Sequence, residues 1–171
     1  MWLGKGVGQW LTYPSSGFLL KTNDKVLLID PAGIISGNDV QRLDLLLIAH
    51  EHTDHFSKSA SVSIQSKTAA VVVVNLGTYS EVFGSLRSEK LVRMRSIETT
   101  TISGIKMTVI AAIHGANEPL TYFILFSSYS VFHGSDSGYN SALDNYKGQE
   151  RTGEAAERMF KLRRATENVS Y

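Results

Sequence analysis

The 171-residue sequence contains no cysteine. That excludes a disulfide framework and any thiolate ligand for a metal, and it suits a reducing compartment. Proline is scarce as well, with three in the chain and none inside a segment of helical periodicity. Long apolar runs are missing. Stretches such as Leu45 to Ala49 and Ala69 to Val74 fall far short of the roughly 20 residues a membrane-spanning helix needs, and they read as buried strands. Met1 to Gly6 shows no basic segment leading into an apolar one. No secretory signal is therefore visible, and a cytoplasmic protein is expected. Nor does one sign of charge dominate. Seventeen basic residues against 16 acidic ones leave a formal net charge of +1, too little to attract nucleic acid or an acidic membrane as a bulk partner.

What is present is the balance of a globular chain rather than a disordered one: 43% apolar and 19% charged residues. The length fits a single domain, 1–171, with a sizeable core. Strands are expected at Gln9–Tyr13, Gly17–Thr22, Lys25–Ile29, Leu43–Ala49 and Ala69–Val74, and again at Leu91–Met94, Thr99–Ile102, Ile105–Ile113, Leu120–Phe126 and Tyr129–Phe132. Ser103-Gly104 and Ser127-Ser128 read as hairpin turns. Ser57–Ser66 reads as a short helix. Thr78–Leu86 reads as a second, with Tyr79, Val82, Phe83 and Leu86 on one face. Gly153–Ala165 has the clearest helical signal, with Ala155, Ala156, Met159 and Phe160 on one face and Glu-to-basic pairs four residues apart. Strands and helices interleaved in one domain give an α+β layered fold.

The chemistry is concentrated in five histidines: His50, His52, His55, His114 and His133. Three lie within six residues, directly after an apolar run, and the other two also follow strand-like runs. A lone histidine is usually a satisfied core residue. A cluster at a strand end is different, because rigid ends hold imidazole nitrogens in fixed geometry for a metal. Asp54 lies inside the cluster and Asp136 three residues past His133. Imidazole and carboxylate donors without sulfur favour Zn2+, with Mn2+ or Fe2+ as alternatives. The spacing His50-x-His52-x-Asp54-His55 lets the first two rings point to one side and the next two groups turn back to a second point nearby. Two metals about 3.5–4 Å apart can share a water and stabilise a developing oxyanion.

The segment Leu45-Leu46-Leu47-Ile48-Ala49-His50-Glu51-His52-Thr53-Asp54-His55-Phe56 resembles the signature of the metallo-β-lactamase superfamily, and within it the small ascorbate-6-phosphate-lactonase-like hydrolases. Further segments agree in order: Ser16 to Leu20 and Val26 to Pro31, then Ile113-His114-Gly115, then Phe132 to Gly138. The resemblance spans residues 7 to 140. It implies an αββα sandwich and a metal-dependent hydrolase. His50, His52 and His114 would bind a first metal. Asp54, His55 and Asp136 would bind a second, with Asp136 bridging, and Asp54 would also orient or deprotonate water as the catalytic carboxylate. Asp30 would fix a loop near the site, although an aspartate before proline is also ordinary turn chemistry. Asp44 matches a family position and reads as structural. His133 has two readings, a direct role or a hydrogen-bonding residue beside the site.

The sequence departs from the family in two places. No histidine follows His133, where the family supplies one more ligand from a late strand. Residues 141–171 diverge and end in a helix, so the last strand or strands are expected to be absent or replaced. A shortened enzyme with one full and one weak site, recruitment of another ligand, or loss of catalysis would each follow. An uncovered sheet edge would favour a homo-oligomer. Glu51 replaces the small or polar residue common between the two histidines and is expected to face solvent. Three functions remain. The first is a hydrolase acting on a small ester, lactone or phosphoester. The second is a non-catalytic metal-binding relic. The third is a nuclease, disfavoured by the near-neutral charge.

Overall fold

The computed structural model describes residues 2–3, 9–12, 17–22, 24–126 and 129–146. They form two sheets. The larger contains β1 (Trp2–Leu3), β2 (Gln9–Thr12), β3 (Phe18–Lys21), β4 (Val26–Ile29), β5 (Leu45–Ile48), β6 (Val71–Val74) and β7 (Leu91–Arg93), in that spatial order. Its first four strands run antiparallel, whereas β4 through β7 are parallel. Parallel neighbours require crossovers. Helix α1 (Lys58–Thr68) supplies one between β5 and β6, and α2 (Leu76–Val82) supplies the next. The smaller sheet is an antiparallel meander of β8 (Glu98–Ile102), β9 (Ile105–Ala111), β10 (Leu120–Phe126) and β11 (Tyr129–His133).

Strand periodicity explains the layering. Alternate residues of a strand face opposite sides. Leu27, Leu45, Leu47 and Val73 face the smaller sheet, where they meet Met107, Val109, Tyr122 and Ile124. Leu28, Leu46, Ile48 and Val72 face the helices, where they meet Ile64 and Val82. All four residues of β5 are fully buried, as a continuous apolar run predicts. Each such side chain contributes about 1.5–3 kcal/mol on leaving water. The result among the described residues is an α+β arrangement of helices, sheet and sheet, three of the four layers expected from the sequence.

Local chemistry moved several boundaries. α1 starts at Lys58 because the Ser57 hydroxyl accepts from the Ala60 amide, and it ends where Ala69 takes the left-handed conformation. The second helix begins earlier than the apolar spacing suggests, at Leu76, because Asn75 caps it through the Thr78 amide. It also stops earlier, at Val82, and Phe83 is 66% exposed rather than part of an apolar face. Leu86 still reaches the core from the following loop. At the Ser103-Gly104 turn both residues have positive φ, as a tight hairpin requires. A 3-10 turn at Ser141–Tyr146 stands where plain loop was expected. The Gly153–Ala165 helix and the Ser127-Ser128 turn lie outside the described residues. No helix among the described residues is long and apolar enough to cross a membrane.

Candidate metal centre

The histidine cluster sits at the carboxyl ends of the parallel strands, the usual crevice for ligands in such sheets. The loop after β5 is pinned on both sides. Its Ala49 amide donates to Asp30 Oδ1 at 2.7 Å, and its Ala49 carbonyl accepts from the Leu120 amide of β10 at 3.0 Å. The Tyr122 hydroxyl donates to the Ile48 carbonyl at 2.7 Å from the opposite sheet. Burial pushes the Tyr122 phenol well above its ordinary pKa, so it stays a donor. Within the loop, the His55 and Phe56 amides both donate to the His52 carbonyl, and the Ala32 amide donates to the His55 carbonyl. The spacing of the cluster is thus fixed by backbone bonds before any metal is considered.

Four imidazoles converge. The His50 ring lies 4.7 Å from those of His52 and His114 and 4.0 Å from that of His55, centroid to centroid. His114 arrives on the loop after β9, and its Nε2 stands 3.1 Å from His52 Nδ1. Among the described residues two groups are compact enough to hold a cation, with donor atoms within 4.8 Å of one another: His50 with His52 and His114, and His50 with His55 and Asp136. Asp136 Oδ2 lies 3.0 Å from His55 Nε2 and 3.9 Å from both His50 Nε2 and His114 Nε2, between the two groups. Asp54 is 61% exposed at the rim. Its Oδ2 is 3.5 Å from His55 Nε2, and it belongs to neither compact group.

The donor set fits a cation on its own chemistry. His50 Nε2 is buried and has no hydrogen-bond partner among the described residues, although a buried ring nitrogen without one is costly. Its other nitrogen, Nδ1, lies 3.2 Å from Ser135 Oγ. If Nδ1 carries the proton and donates to that oxygen, the Nε2 lone pair points into the cluster, the arrangement a metal ligand needs. Burial, with the neighbouring His55, pushes the His50 pKa down to about 4, which keeps the ring neutral.

His55 is supported differently. Its Nδ1 is 2.9 Å from Asp30 Oδ2, and the same oxygen is 2.7 Å from His133 Nε2. Asp30 is fully buried and takes positive φ, which aspartate tolerates better than most residues. Burial would raise its pKa, but the hydrogen bonds and charge of His133 and His55 outweigh that and bring it to about 2. On His55, burial opposes the charged form, while the Asp30 hydrogen bond and charge, with Asp136 and Asp54, outweigh it and raise the pKa. A proton and a cation would compete for His55 Nε2. His133 stands one layer behind the cluster, bonded to Asp30. Asp30 therefore does more than shape a turn: it ties β4, the His55 loop and the end of β11 together.

Glu51 does not face open solvent. It is half-buried, and its two oxygens accept from the Asn117 amide at 2.7 Å and from Asn75 Nδ2 at 2.9 Å. Burial opposes its charge, but these hydrogen bonds hold its pKa below the usual range. Asp44 is structural, accepting from the Val26 amide at 2.8 Å. Sequence reasoning did not single out Ser135, Ser137, Tyr122, Asn75 or Asn117. Ser137 Oγ accepts from the Ile113 amide at 2.9 Å and so ties the Asp136 loop to the His114 loop. The two serines flank Asp136 and could have been suspected from that adjacency. Nothing in the chain order links Tyr122 or Asn117 to the site.

Comparison with known proteins agrees with the geometry. Residues 12–156 match the family model described as the beta-lactamase superfamily domain. A UPF0173 protein of Pyrococcus abyssi is 28% identical over 141 residues, covering 80% of this chain and 64% of the relative. A UPF0173 metal-dependent hydrolase of Polynucleobacter asymbioticus is 27% identical over 170 residues, covering 81% and 59%. The chain thus spans about three fifths of the length of these relatives. Among solved structures, Igni18, a metallo hydrolase from Ignicoccus hospitalis, superposes with a TM-score of 0.65 at 16% identity, covering 81% of this chain and 64% of its own. The diiron beta-hydroxylase CmlA from Streptomyces venezuelae gives 0.66 at 16% identity, covering 85% and 33%. These two likenesses speak for the fold. With most of its length matched by the family model and its metal-ligand types gathered at one sheet end, the chain belongs to the beta-lactamase superfamily domain family.

Proposed function

We propose that this chain is a metal-dependent hydrolase whose centre holds zinc. In this reading His50, His52 and His114 would hold one cation, and His55, Asp136 and Asp54 would hold a second. The observation that carries it is the buried, unpartnered His50 Nε2, surrounded by His52, His114, His55 and an Asp136 oxygen. Nitrogen and oxygen donors without sulfur suit zinc, with manganese or iron as alternatives. A bound cation would supply Lewis acidity, making water a stronger acid and polarising a carbonyl or phosphoryl oxygen of the substrate. The protein's part is orientation. Asp30 holds His55 by Nδ1 so that Nε2 faces Asp136, and Ser135 sets the His50 ring. Asp54, exposed beside His55, would accept a proton from water at the open side. The proposed substrate is a small ester, lactone or phosphoester, met in the cytoplasm. The relatives' names, metal-dependent hydrolases, support the reaction class.

Elemental analysis of protein purified without a metal-binding tag tests the reading, together with turnover on lactone, ester and phosphodiester substrates. About two metals per chain with turnover is the expected result. Absence of metal from wild type, or turnover unchanged in His52→Ala, overturns it. The position of Asp54, outside both compact groups, favours one other reading: a metal-binding protein holding a single cation without turnover. One metal per chain and no hydrolysis on the same panel would select that reading.

A further inference from the structure

Glu51 lies between two of the clustered histidines, but its carboxylate turns away from them. One oxygen accepts from the Asn117 backbone amide and the other from the Asn75 side chain, at 2.7 and 2.9 Å. Asn75 is buried and caps α2. Its Nδ2 also donates to the Asn117 carbonyl at 2.7 Å, and the Gly77 amide donates to that carbonyl at 3.2 Å. Asn117 lies three residues past His114, on the same loop. Both backbone groups of Asn117 are therefore held, one by Glu51 directly and the other by the start of α2. Gly77 completes the arrangement. A Cβ at that position would overlap the Glu51 carboxylate, so only glycine leaves room for it.

We infer that Glu51 is a positioning residue: its carboxylate latches the His114 loop to the capped start of α2, and so sets His114 against His50 and His52. The inference rests on the reading that those three histidines hold a metal. Its physical basis is that His50 and His52 ride on a loop welded to β5, whereas His114 belongs to the other sheet. The 3.1 Å separation of His114 Nε2 from His52 Nδ1 requires the two loops to be registered. A carboxylate can do this because it offers two acceptors in one plane to two donors from different segments. Glutamine offers one acceptor and would turn a donor toward a donor.

The test is a metal titration of apoprotein with Zn2+ against a chromophoric chelator, with amide hydrogen exchange on the same samples. Glu51→Ala is expected to weaken binding of the first metal about 10–100-fold, the range seen for residues that orient ligands. Glu51→Gln should fall between it and wild type. Gly77→Ala should weaken binding like Glu51→Ala, although alanine favours helix more than glycine does. The decisive comparison is the double variant. Once Glu51 is alanine, Gly77→Ala should cost no further affinity, because its only effect was to displace the carboxylate. In the metal-free protein the Asn117 amide should exchange slowly in wild type and fast in Glu51→Ala. Equal losses from Gly77→Ala in both backgrounds, or an Asn117 amide indifferent to Glu51, would overturn the latch. Wild-type protein that binds no metal would instead overturn the metal reading, and the exchange result would still decide the latch.

Discussion

Loop 49–56, at the rim of the seven-stranded sheet, is held by a buried charge. Asp30 accepts from the Ala49 amide with one oxygen and bonds His55 and His133 with the other, out of reach of water. Loops 112–119 and 134–138, at the rim of the four-stranded sheet, are held by separate, singly placed side chains reaching for backbone, two of them half-buried and Ser137 buried. Glu51 bonds Asn117, Ser137 bonds Ile113, and Asn140 bonds Ala111. The donors on the first rim are thus fixed with the fold. Those on the second, His114 and Asp136, are set by individual bonds that can be removed without dismantling the core. Removing the bonds that hold the first rim should therefore register in stability, and removing those that hold the second should register in metal affinity.

Asp30→Ala should have the largest effect. It leaves two buried rings without their shared carboxylate, and breaking a buried charge pair costs about 3–5 kcal/mol. Denaturant unfolding should show that loss, along with poor metal retention. A loss under about 1 kcal/mol would mean that Asp30 is only a turn residue, and the contrast between the rims would fail. His52→Ala comes next and reads the opposite way. His52 is half-buried, so stability should change little. First-metal affinity should drop by more than the roughly 100-fold ceiling for supporting residues, and turnover should vanish. Calorimetric titration of the apoprotein measures it, and unchanged affinity would remove His52 from the centre.

Tyr122→Phe should be smaller. It deletes the hydroxyl that bonds the Ile48 carbonyl across the sheets and leaves that carbonyl without its donor, for about 1–3 kcal/mol of stability. Metal affinity should be nearly unchanged, because the Ala49 amide and carbonyl still pin the loop. An affinity loss exceeding the stability loss would show that the first rim is less rigid than its bonds suggest.

The same division explains what could be read from the sequence. Strand β5 was legible because burial on both faces demands an unbroken apolar run, and the cluster that follows it was legible because its donors are consecutive in the chain. The helix ends were less so. Asn75 starts α2 two residues ahead of the apolar pattern, since a capping bond outweighs periodicity there. Phe83 fits the helical spacing yet lies in solvent, because the chain turns at Gly84 with positive φ. Glu51 was misjudged for a related reason. An acidic residue beside metal ligands reads as solvated, and the two donors that draw it inward come from positions 24 and 66 residues further along. Local pattern carries information about the first rim, whose donors His50, His52, Asp54 and His55 lie in one segment. The second rim depends on pairings between distant segments, for which composition and periodicity have no signal.

Ser135 offers the finest probe of that difference. It lies on the second rim, and its Oγ is 3.2 Å from Nδ1 of His50, a ring on the first. Ser135→Ala takes away that partner for the ring nitrogen opposite the unpartnered Nε2, so the proton is no longer held on the far side. First-metal affinity should fall about tenfold, the low end for residues that orient a ligand. Stability should fall by about 1 kcal/mol, the low end of the cost of leaving the buried Nδ1 without its partner. Backbone strain must be separated from this, because Ser135 has φ of +47°. Alanine keeps that strain and glycine relieves it. Ser135→Gly should therefore lose the same tenfold affinity while being at least as stable as Ser135→Ala. If the two variants differ in affinity as they differ in stability, the backbone conformation of the loop, not the oxygen, sets His50. The second rim would then be held by its fold, as the first is.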